Sequence, residues 1–354
     1  MDKIIFFTTL VLFPFGQLIK FGIFNLFDAV VLSLAAITFF KKPKYPEWYR
    51  YFIYFILFAS FSLLVNYKLF ELKSILYLVR LISYSFIAVY IQNFFKKQII
   101  TSKRQAPLIS YLLILSCASA ALGWLQYIFW PNLTALKYLG WDDHLLRMVG
   151  TFLDPTYLGL ILVLGIILAE KLNIKKIIYF LLISLAFTYS RSSYLIASLF
   201  LIYKKKFLPL IIFILIILLL PKNIGEGTNL ARTVSGNNKL INYKETIEIF
   251  KKSPLVGIGF NNICNARQFF LNDKSIDSHS CNGADSSILF LLATTGIIGL
   301  ILFLNFLLHV PKLLFLHSSF LIVLLHSLFA NSLFYPHIMF WMFALLGLRS
   351  KSNS

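Results

Sequence analysis

Apolar segments of helical length alternate with short polar stretches along almost the whole chain. Several are as long as an α-helix must be to cross a hydrocarbon core of about 30 Å. The pattern predicts an all-α, polytopic integral membrane protein, with one membrane domain over residues 1–354 and about 12 transmembrane helices. The predicted segments are Ile4–Ile19, Phe21–Phe40, Tyr51–Asn66, Ile75–Phe95, Pro107–Phe129, Thr156–Ala169, Ile177–Tyr189, Ser193–Tyr203, Phe207–Leu220, Ser286–Leu308, Leu313–Ala330 and Ile338–Leu348.

The stretch Ile177–Tyr203 has two interpretations. As one helix it would be about 40 Å long, at 1.5 Å per residue, and it would reverse the orientation of every later segment. As a hairpin it gives two short spans that meet at Ser190–Ser192. We favour the hairpin, because flanking lysines can extend to the interface and lengthen both arms.

One polar interval, Pro221–Asp285, is much longer than the others. Short loops rich in Lys and Arg stay on the cytoplasmic side of a membrane. With twelve spans, the basic loops of this chain all fall inside and residues 221–285 fall outside. The sequence therefore predicts a multi-pass protein of the cytoplasmic (inner) membrane with one large extracytoplasmic loop.

Composition supports a membrane protein, since 59% of the residues are hydrophobic against about 45–50% in soluble domains. A net charge of +19 would suit nucleic acid, but basic loops that fix membrane orientation account for it. We therefore expect membrane lipids, and no nucleic acid, among the partners.

Two of the three cysteines, Cys264 and Cys281, lie in the large loop. They could form a disulfide if the loop faces an oxidising compartment. Two cysteines of one loop need not lie close enough to bridge, however. Both alternatives stay open at this point.

Three arginines, Arg147, Arg191 and Arg232, lie in different external connections. The planar guanidinium group suits phosphate oxygens, so the three could converge on one anion. For Arg191, contact with lipid headgroups fits the local sequence equally well.

The same side carries His144 and His279, and histidine is a common general base. Phosphate-loop and H-E-x-x-H patterns are missing from the sequence, so nucleotide-driven chemistry has no support.

Four stretches in order resemble motifs of the O-antigen ligase and O-antigen polymerase family, which are integral-membrane glycan transferases. Together they cover residues 147–308. Each is short, and their order and placement carry the resemblance. The four are Arg147–Gly159, similar to R-x-x-G-x-F-x-N-P-N-x-x-G; Thr188–Ser192, similar to T-x-S-R-[GS]; Ile249–Phe260, with P-x-x-G-x-G; and Asp285–Leu300, similar to H-N-[ST]-x-L-x-x-L-x-x-x-G-x-x-G.

The chain departs from the family pattern at three positions. Asp154 and Thr156 stand where the family has Asn. The family also has a histidine eleven residues before the first glycine of G-x-x-G, where this chain has Asp285. Either an insertion has displaced the histidine to His279, or the Asp285 carboxylate takes its role.

The resemblance implies a membrane glycosyltransferase that needs no metal and no cofactor. Its donor would be an undecaprenyl-pyrophosphate-linked glycan, and its acceptor a hydroxyl of another glycan or of a lipid. Arg147, Arg191 and Arg232 would bind the pyrophosphate, and His279 or Asp285 would be the catalytic base. Polymerase and ligase are both compatible with the residues.

Two other functions remain as alternatives. A transporter or flippase for a lipid-linked or small solute would fit a polytopic chain, but transporters often have internal repeats and a polar site at mid-membrane. Neither is visible in the sequence. A membrane scaffold or sensor without enzymatic activity would tolerate the loss of Arg191.

Overall fold

The computed structural model describes residues 1–21, 24–95, 106–222, 225–272, 281, 283–310 and 318–348. This part of the chain is helical apart from a pair of antiparallel two-residue strands, β1 (Lys20–Phe21) and β2 (Phe24–Asn25). The α-helices are α1 (Asp2–Leu12), α2 (Leu26–Phe40), α3 (Trp48–Val65), α4 (Leu72–Tyr90), α5 (Ala106–Phe129), α6 (Pro155–Lys171), α7 (Lys175–Ala186), α8 (Arg191–Tyr203), α9 (Phe207–Leu219), α10 (Val234–Lys252), α11 (Ile263–Leu271), α12 (Ser287–His309), α13 (Ser318–His326) and α14 (Pro336–Gly347).

Short helical turns connect several of these elements. The 3₁₀ helices are Phe13–Phe15, Tyr67–Leu69, Thr134–Leu139, Gly150–Phe152, Glu226–Thr228 and Ser332–Phe334, and Ile91–Phe95 is a π-helical turn that continues α4.

The predicted all-α class is confirmed, and each of the twelve predicted apolar segments overlaps one of these helices. One continuous helix over Ile177–Tyr203 is wrong, because α7 ends at Ala186 and α8 begins at Arg191. Among the described residues, four helices are long and apolar enough to cross a membrane, so the number twelve stays a prediction. These four are Trp48–Val65, Leu72–Phe95, Leu108–Phe129 and Ser287–His309.

Contacts group the chain into two compact units. The first unit contains residues 1–31, 99–232 and 321–326. Its centre is α6, in which every residue from Leu158 to Ala169 is buried. A helix that is apolar on all sides is suited to such a central position. It packs against α5, α7 and α8, and Ser116 of α5 donates a hydrogen bond to its Ile161 carbonyl (2.9 Å).

The second unit contains residues 32–98, 233–320 and 327–354. Its most buried helix is α14, which is covered along its whole length and packs on α4. Helix α12 packs on α3 and on α10. Edge-to-face ring contacts join Phe55 of α3 to Phe303 of α12, and Phe260 to Phe290. Aromatic packing therefore links the large polar interval to apolar helices of this unit.

Helix α12 is interrupted at Gly296, whose φ of +65° and ψ of −171° are not helical. A break of this kind leaves backbone groups without their partners in the helix, and buried groups of this type need others. The segment 254–259 supplies them. Its N–H groups donate to the carbonyls of Ala293 and Thr294 (both 3.0 Å), and its Pro254 carbonyl accepts from the Ile297 N–H (2.9 Å).

Helix α3 fixes the same segment from another side. The Ser62 hydroxyl donates to the carbonyl of Val256 (2.7 Å), and the Asn66 amide donates to that of Gly257 (2.9 Å). Gly257 and Gly259 both have positive φ angles, +74° and +94°. Glycine adopts these angles readily, so the two residues allow a tight backbone turn.

The contact between the segment 254–259 and the break in α12, called the joint below, gives a stability prediction. In Gly257→Ala, the new methyl group would need a left-handed backbone and would press on the backbone of Thr294, Thr295 and Gly296. We expect the free energy of unfolding to fall by more than about 1–2 kcal/mol. Gly236→Ala is the matched control, because nothing lies within 4 Å of its added methyl and alanine suits a helix such as α10. Thermal unfolding of the two purified variants in detergent makes the comparison, and equal midpoints would contradict this role of Gly257.

Candidate functional site

The candidate site is built around the break between α7 and α8 in the first unit. Tyr189 has a left-handed backbone, with φ at +51°, and Ser190 precedes the first residue of α8. The Ser190 hydroxyl is 2.9 Å from the Ser193 hydroxyl. The break leaves the carbonyls of Thr188 and Tyr189 outside any helix, where arginine side chains reach them.

Arg147 makes the most buried of these contacts, with only 8% of its surface exposed. Its Nε donates to the Thr188 carbonyl (3.2 Å) and its Nη2 to that of Tyr189 (3.4 Å). Among the described residues, no carboxylate lies within ion-pair distance of its guanidinium group. No described side chain therefore neutralises its charge by direct contact.

Arg232 reaches the same turn, and Arg191 binds the loop that carries Arg232. Nη2 of Arg232 donates to the Tyr189 carbonyl (3.2 Å), and its Nη1 donates to Gly227 (2.9 Å) and Asn229 (3.1 Å). Nη1 of Arg191 donates to the Arg232 carbonyl (2.9 Å). Arg191 is exposed and Arg232 is half-buried, so the three cations range from the interior to the surface.

Electrostatics in this cluster favour a bound anion. Burial and then the charge of Arg232 lower the pKa of Arg147 to about 10. Burial and the charge of Arg191 likewise lower the pKa of Arg232. Arg232 therefore makes the charge on Arg147 less favourable, and Arg191 does the same to Arg232. An anion placed among them would remove that repulsion.

The segment that carries Arg147 is held from both ends. Gln126 of α5 accepts from the N–H groups of Val149 (3.0 Å) and Gly150 (3.1 Å). At the other end, the Asp154 carboxylate caps α6 by accepting from the Thr156 N–H (2.6 Å). Since Asn and Asp both cap helices well, the substitution of Asp154 for the family's Asn keeps this function.

Asp285 lies in the second unit, directly before α12, and α10 holds its backbone. Its N–H donates to the Asn242 side chain (2.8 Å), and its carbonyl accepts from the Tyr243 hydroxyl (3.4 Å). Burial raises the pKa of Tyr243, and the charge of Asp285 raises it further. His279, the alternative base, lies outside the described residues.

The large polar interval contains two helices, α10 and α11. Arg267 of α11 is buried and forms an ion pair with Glu245 of α10. Cys264, also on α11, forms a disulfide with Cys281. Of the two alternatives left open for these cysteines, the structure therefore shows the pairing.

The structure thus brings together Arg147, Arg191 and Arg232, as their convergence on one anion requires. Asp285 belongs to the other unit, and its role stays a prediction. Gln126, near the arginines, is not among the residues selected from sequence, and His144 is selected there only as a possible general base. A polar side chain near the end of an otherwise apolar segment was the available signal for Gln126, whereas nothing in the sequence indicates that His144 is buried.

The apolar helices and the arginine cluster define a helical membrane protein that presents a cationic site. Residues 157–304 match the family model described as O-antigen ligase. This match confirms the resemblance to the O-antigen ligase and polymerase family, and it supports glycan transfer as the general class of activity. The matched range begins after Arg147, includes Arg191, Arg232 and Asp285, and covers less than half of the chain. No curated protein matches the chain.

The disulfide leads to a second prediction. It joins cysteines 17 residues apart, and closing a loop of that size stabilises a fold by about 3 kcal/mol in the loop-entropy model. We expect a reducing agent to lower the thermal midpoint of the purified protein. The double variant with Cys264→Ser and Cys281→Ser should have this low midpoint with or without the reducing agent. Cys117→Ser removes the free cysteine and serves as the control that keeps the reductant effect. Three alkylatable thiols in the untreated, denatured protein would show that the bond does not form.

Proposed function

We propose that the protein transfers an oligosaccharide or polysaccharide from undecaprenyl pyrophosphate to an acceptor hydroxyl on the outer side of the cytoplasmic membrane. It would act as a surface-polysaccharide polymerase or as an O-antigen ligase. The observation that carries the proposal is the cluster of three arginines, in which Arg147 and Arg232 bind carbonyls of one turn and Arg191 binds the Arg232 carbonyl. The family match over residues 157–304 supports the class of reaction.

In this reaction the acceptor oxygen attacks the anomeric carbon of the donor glycan. The bond between that carbon and the phosphate oxygen breaks, and the pyrophosphate leaves with the electron pair. Negative charge therefore grows on the phosphate oxygens in the transition state. Guanidinium groups held in place by carbonyls are suited to stabilise it, because they need little reorganisation as the charge develops.

The acceptor hydroxyl must lose its proton as it attacks. We assign that proton to a base in the segment before α12, either His279 or Asp285. A carboxylate or a neutral imidazole can accept it. The pyrophosphate bond of the donor supplies the driving force, so the proposed reaction uses neither a metal ion nor a cofactor.

The proposed location rests on two features. Disulfides persist in oxidising compartments, so the Cys264–Cys281 bond supports an extracytoplasmic position for the loop 221–285. The distribution of basic loops supports twelve spans with that loop outside. A donor in the outer leaflet would then meet its transferase on the same side of the membrane.

Arg191 offers the cleanest test, because it is exposed and its removal leaves the buried contacts intact. We expect Arg191→Ala to lower the rate of glycan transfer by about 10²–10³, at normal protein abundance. Arg191→Lys should recover only part of the rate, because an ammonium group lacks the planar fork of donors. The assay uses purified full-length protein, an undecaprenyl-pyrophosphate-linked glycan, an acceptor glycan and EDTA.

Arg50→Ala is the matched control. Arg50 is an exposed arginine of α3 that contacts Tyr51, so its removal takes away the same charge at another place. Equal rates for the wild type, Arg50→Ala and Arg191→Ala would contradict the proposed site. Uptake of the labelled donor into proteoliposomes without any transfer product would favour a transporter instead.

A further inference from the structure

His144 lies three residues before Arg147 on the segment that enters the arginine cluster. Its backbone is fixed in extended pairing, since its carbonyl accepts from the Leu133 N–H (2.8 Å) and Leu145 pairs with Asn132. The side chain is buried, with 5% of the residue exposed. The imidazole is thus held in one place by its neighbours.

The loop that carries Arg232 covers this segment. A methyl group added at Gly225 would meet the side chain of Leu145 at 3.4 Å, and one added at Gly227 would meet the stem of Arg147. The Gly227 carbonyl is one of the groups that Arg232 binds. Hence the segment of His144 and Arg147 and the loop of Arg232 form one packed layer of the first unit.

Within the part of the chain that the structure describes, neither ring nitrogen of His144 makes a hydrogen bond of ordinary length and angle, although the Leu153 backbone is near enough to favour the protonated ring. Buried polar side chains nearly always have a partner, and leaving one without a partner is costly. The imidazole therefore has the features of a group whose partner is a bound molecule.

The ring is neutral in the free protein. Burial and then the nearby charge of Arg147 lower the pKa of His144 to about 4, against the opposite effects of Asp154, Asp143 and the Leu153 backbone. A neutral imidazole carries one N–H donor. It can hydrogen-bond an anion without adding a fourth positive charge to the three arginines.

We propose that His144 is a ligand-binding residue of the arginine site and donates a hydrogen bond to a phosphate oxygen of the bound pyrophosphate. This inference rests on the proposed function, since it assigns a further contact to the same anion. The arginines supply charge from several directions. His144 supplies one directed donor, which fixes the orientation of the phosphate among them.

The test measures binding of inorganic pyrophosphate and of a short prenyl pyrophosphate to the purified full-length protein, by calorimetry. We expect His144→Ala and His144→Phe to weaken binding of both by about 10-fold to 100-fold, the effect of losing one hydrogen bond to a charged group. His144→Asn keeps an N–H donor and should stay within about threefold of the wild type. A loss confined to the prenyl compound would assign the contact to the lipid-linked form of the anion.

Controls separate binding from folding. His144→Phe fills the volume of the ring, so a purely structural histidine would keep wild-type affinity in this variant. His309→Ala removes an exposed histidine of the second unit and should change nothing.

Arg191→Ala reports on the anion site itself. If it loses affinity while every His144 variant binds like the wild type, the role of His144 is wrong and the anion site stands. If Arg191→Ala and the His144 variants all bind like the wild type, the proposed function and the role of His144 are both wrong.

Discussion

The candidate site depends on backbone carbonyls that a helix break leaves without partners. Such groups cannot stay unsatisfied in an apolar environment. At the break between α7 and α8, the guanidinium groups of Arg147 and Arg232 bind the carbonyls of Thr188 and Tyr189. The same hydrogen bonds that satisfy the turn also fix the arginines, so the geometry of the break determines where positive charge is placed.

In the second unit, the backbone groups at a helix break find different partners. At Gly296 the break in α12 is completed by backbone groups of the segment 254–259, without any charged side chain. Two sequence motifs that lie far apart along the chain therefore form one joint. The first unit thus uses a helix break to place charge, and the second uses one to attach a polar loop to apolar helices.

Sequence patterns predict much of this architecture for physical reasons. Apolar segments must become helices in a membrane, so their positions could be found from hydrophobicity alone. The large interval 221–285 was harder, because α10 and α11 are polar helices whose stability comes from packing, from the Arg267–Glu245 pair and from the disulfide. Hydrophobicity carries little information about any of these.

The convergence of the arginines could be proposed from their positions in similar motifs, but their partners could not. Every residue has a backbone carbonyl, so a sequence does not show which carbonyls an arginine binds. The hydrogen bonds of Arg147 were therefore not predictable. His144 is buried on a segment whose Leu145 and Arg147 face the loop of Arg232, and such contacts are tertiary. Three polar residues, Gln126, Asp154 and His144, surround the Arg147 segment, and sequence reasoning had considered only Asp154 as part of a motif.

The most direct measurement of the central claim is a size profile of the cell's surface glycan with the gene intact, deleted, or restored carrying Arg147→Lys. Lysine keeps the charge but cannot bind both carbonyls and a phosphate through one planar group. We expect the variant to reproduce the deletion at normal protein abundance. Collapse to single repeat units would identify a polymerase, and long chains retained on the lipid carrier would identify a ligase. A wild-type profile in both the deletion and the Arg147→Lys strain, in a cell with no second enzyme of this class, would contradict glycan transfer by this protein.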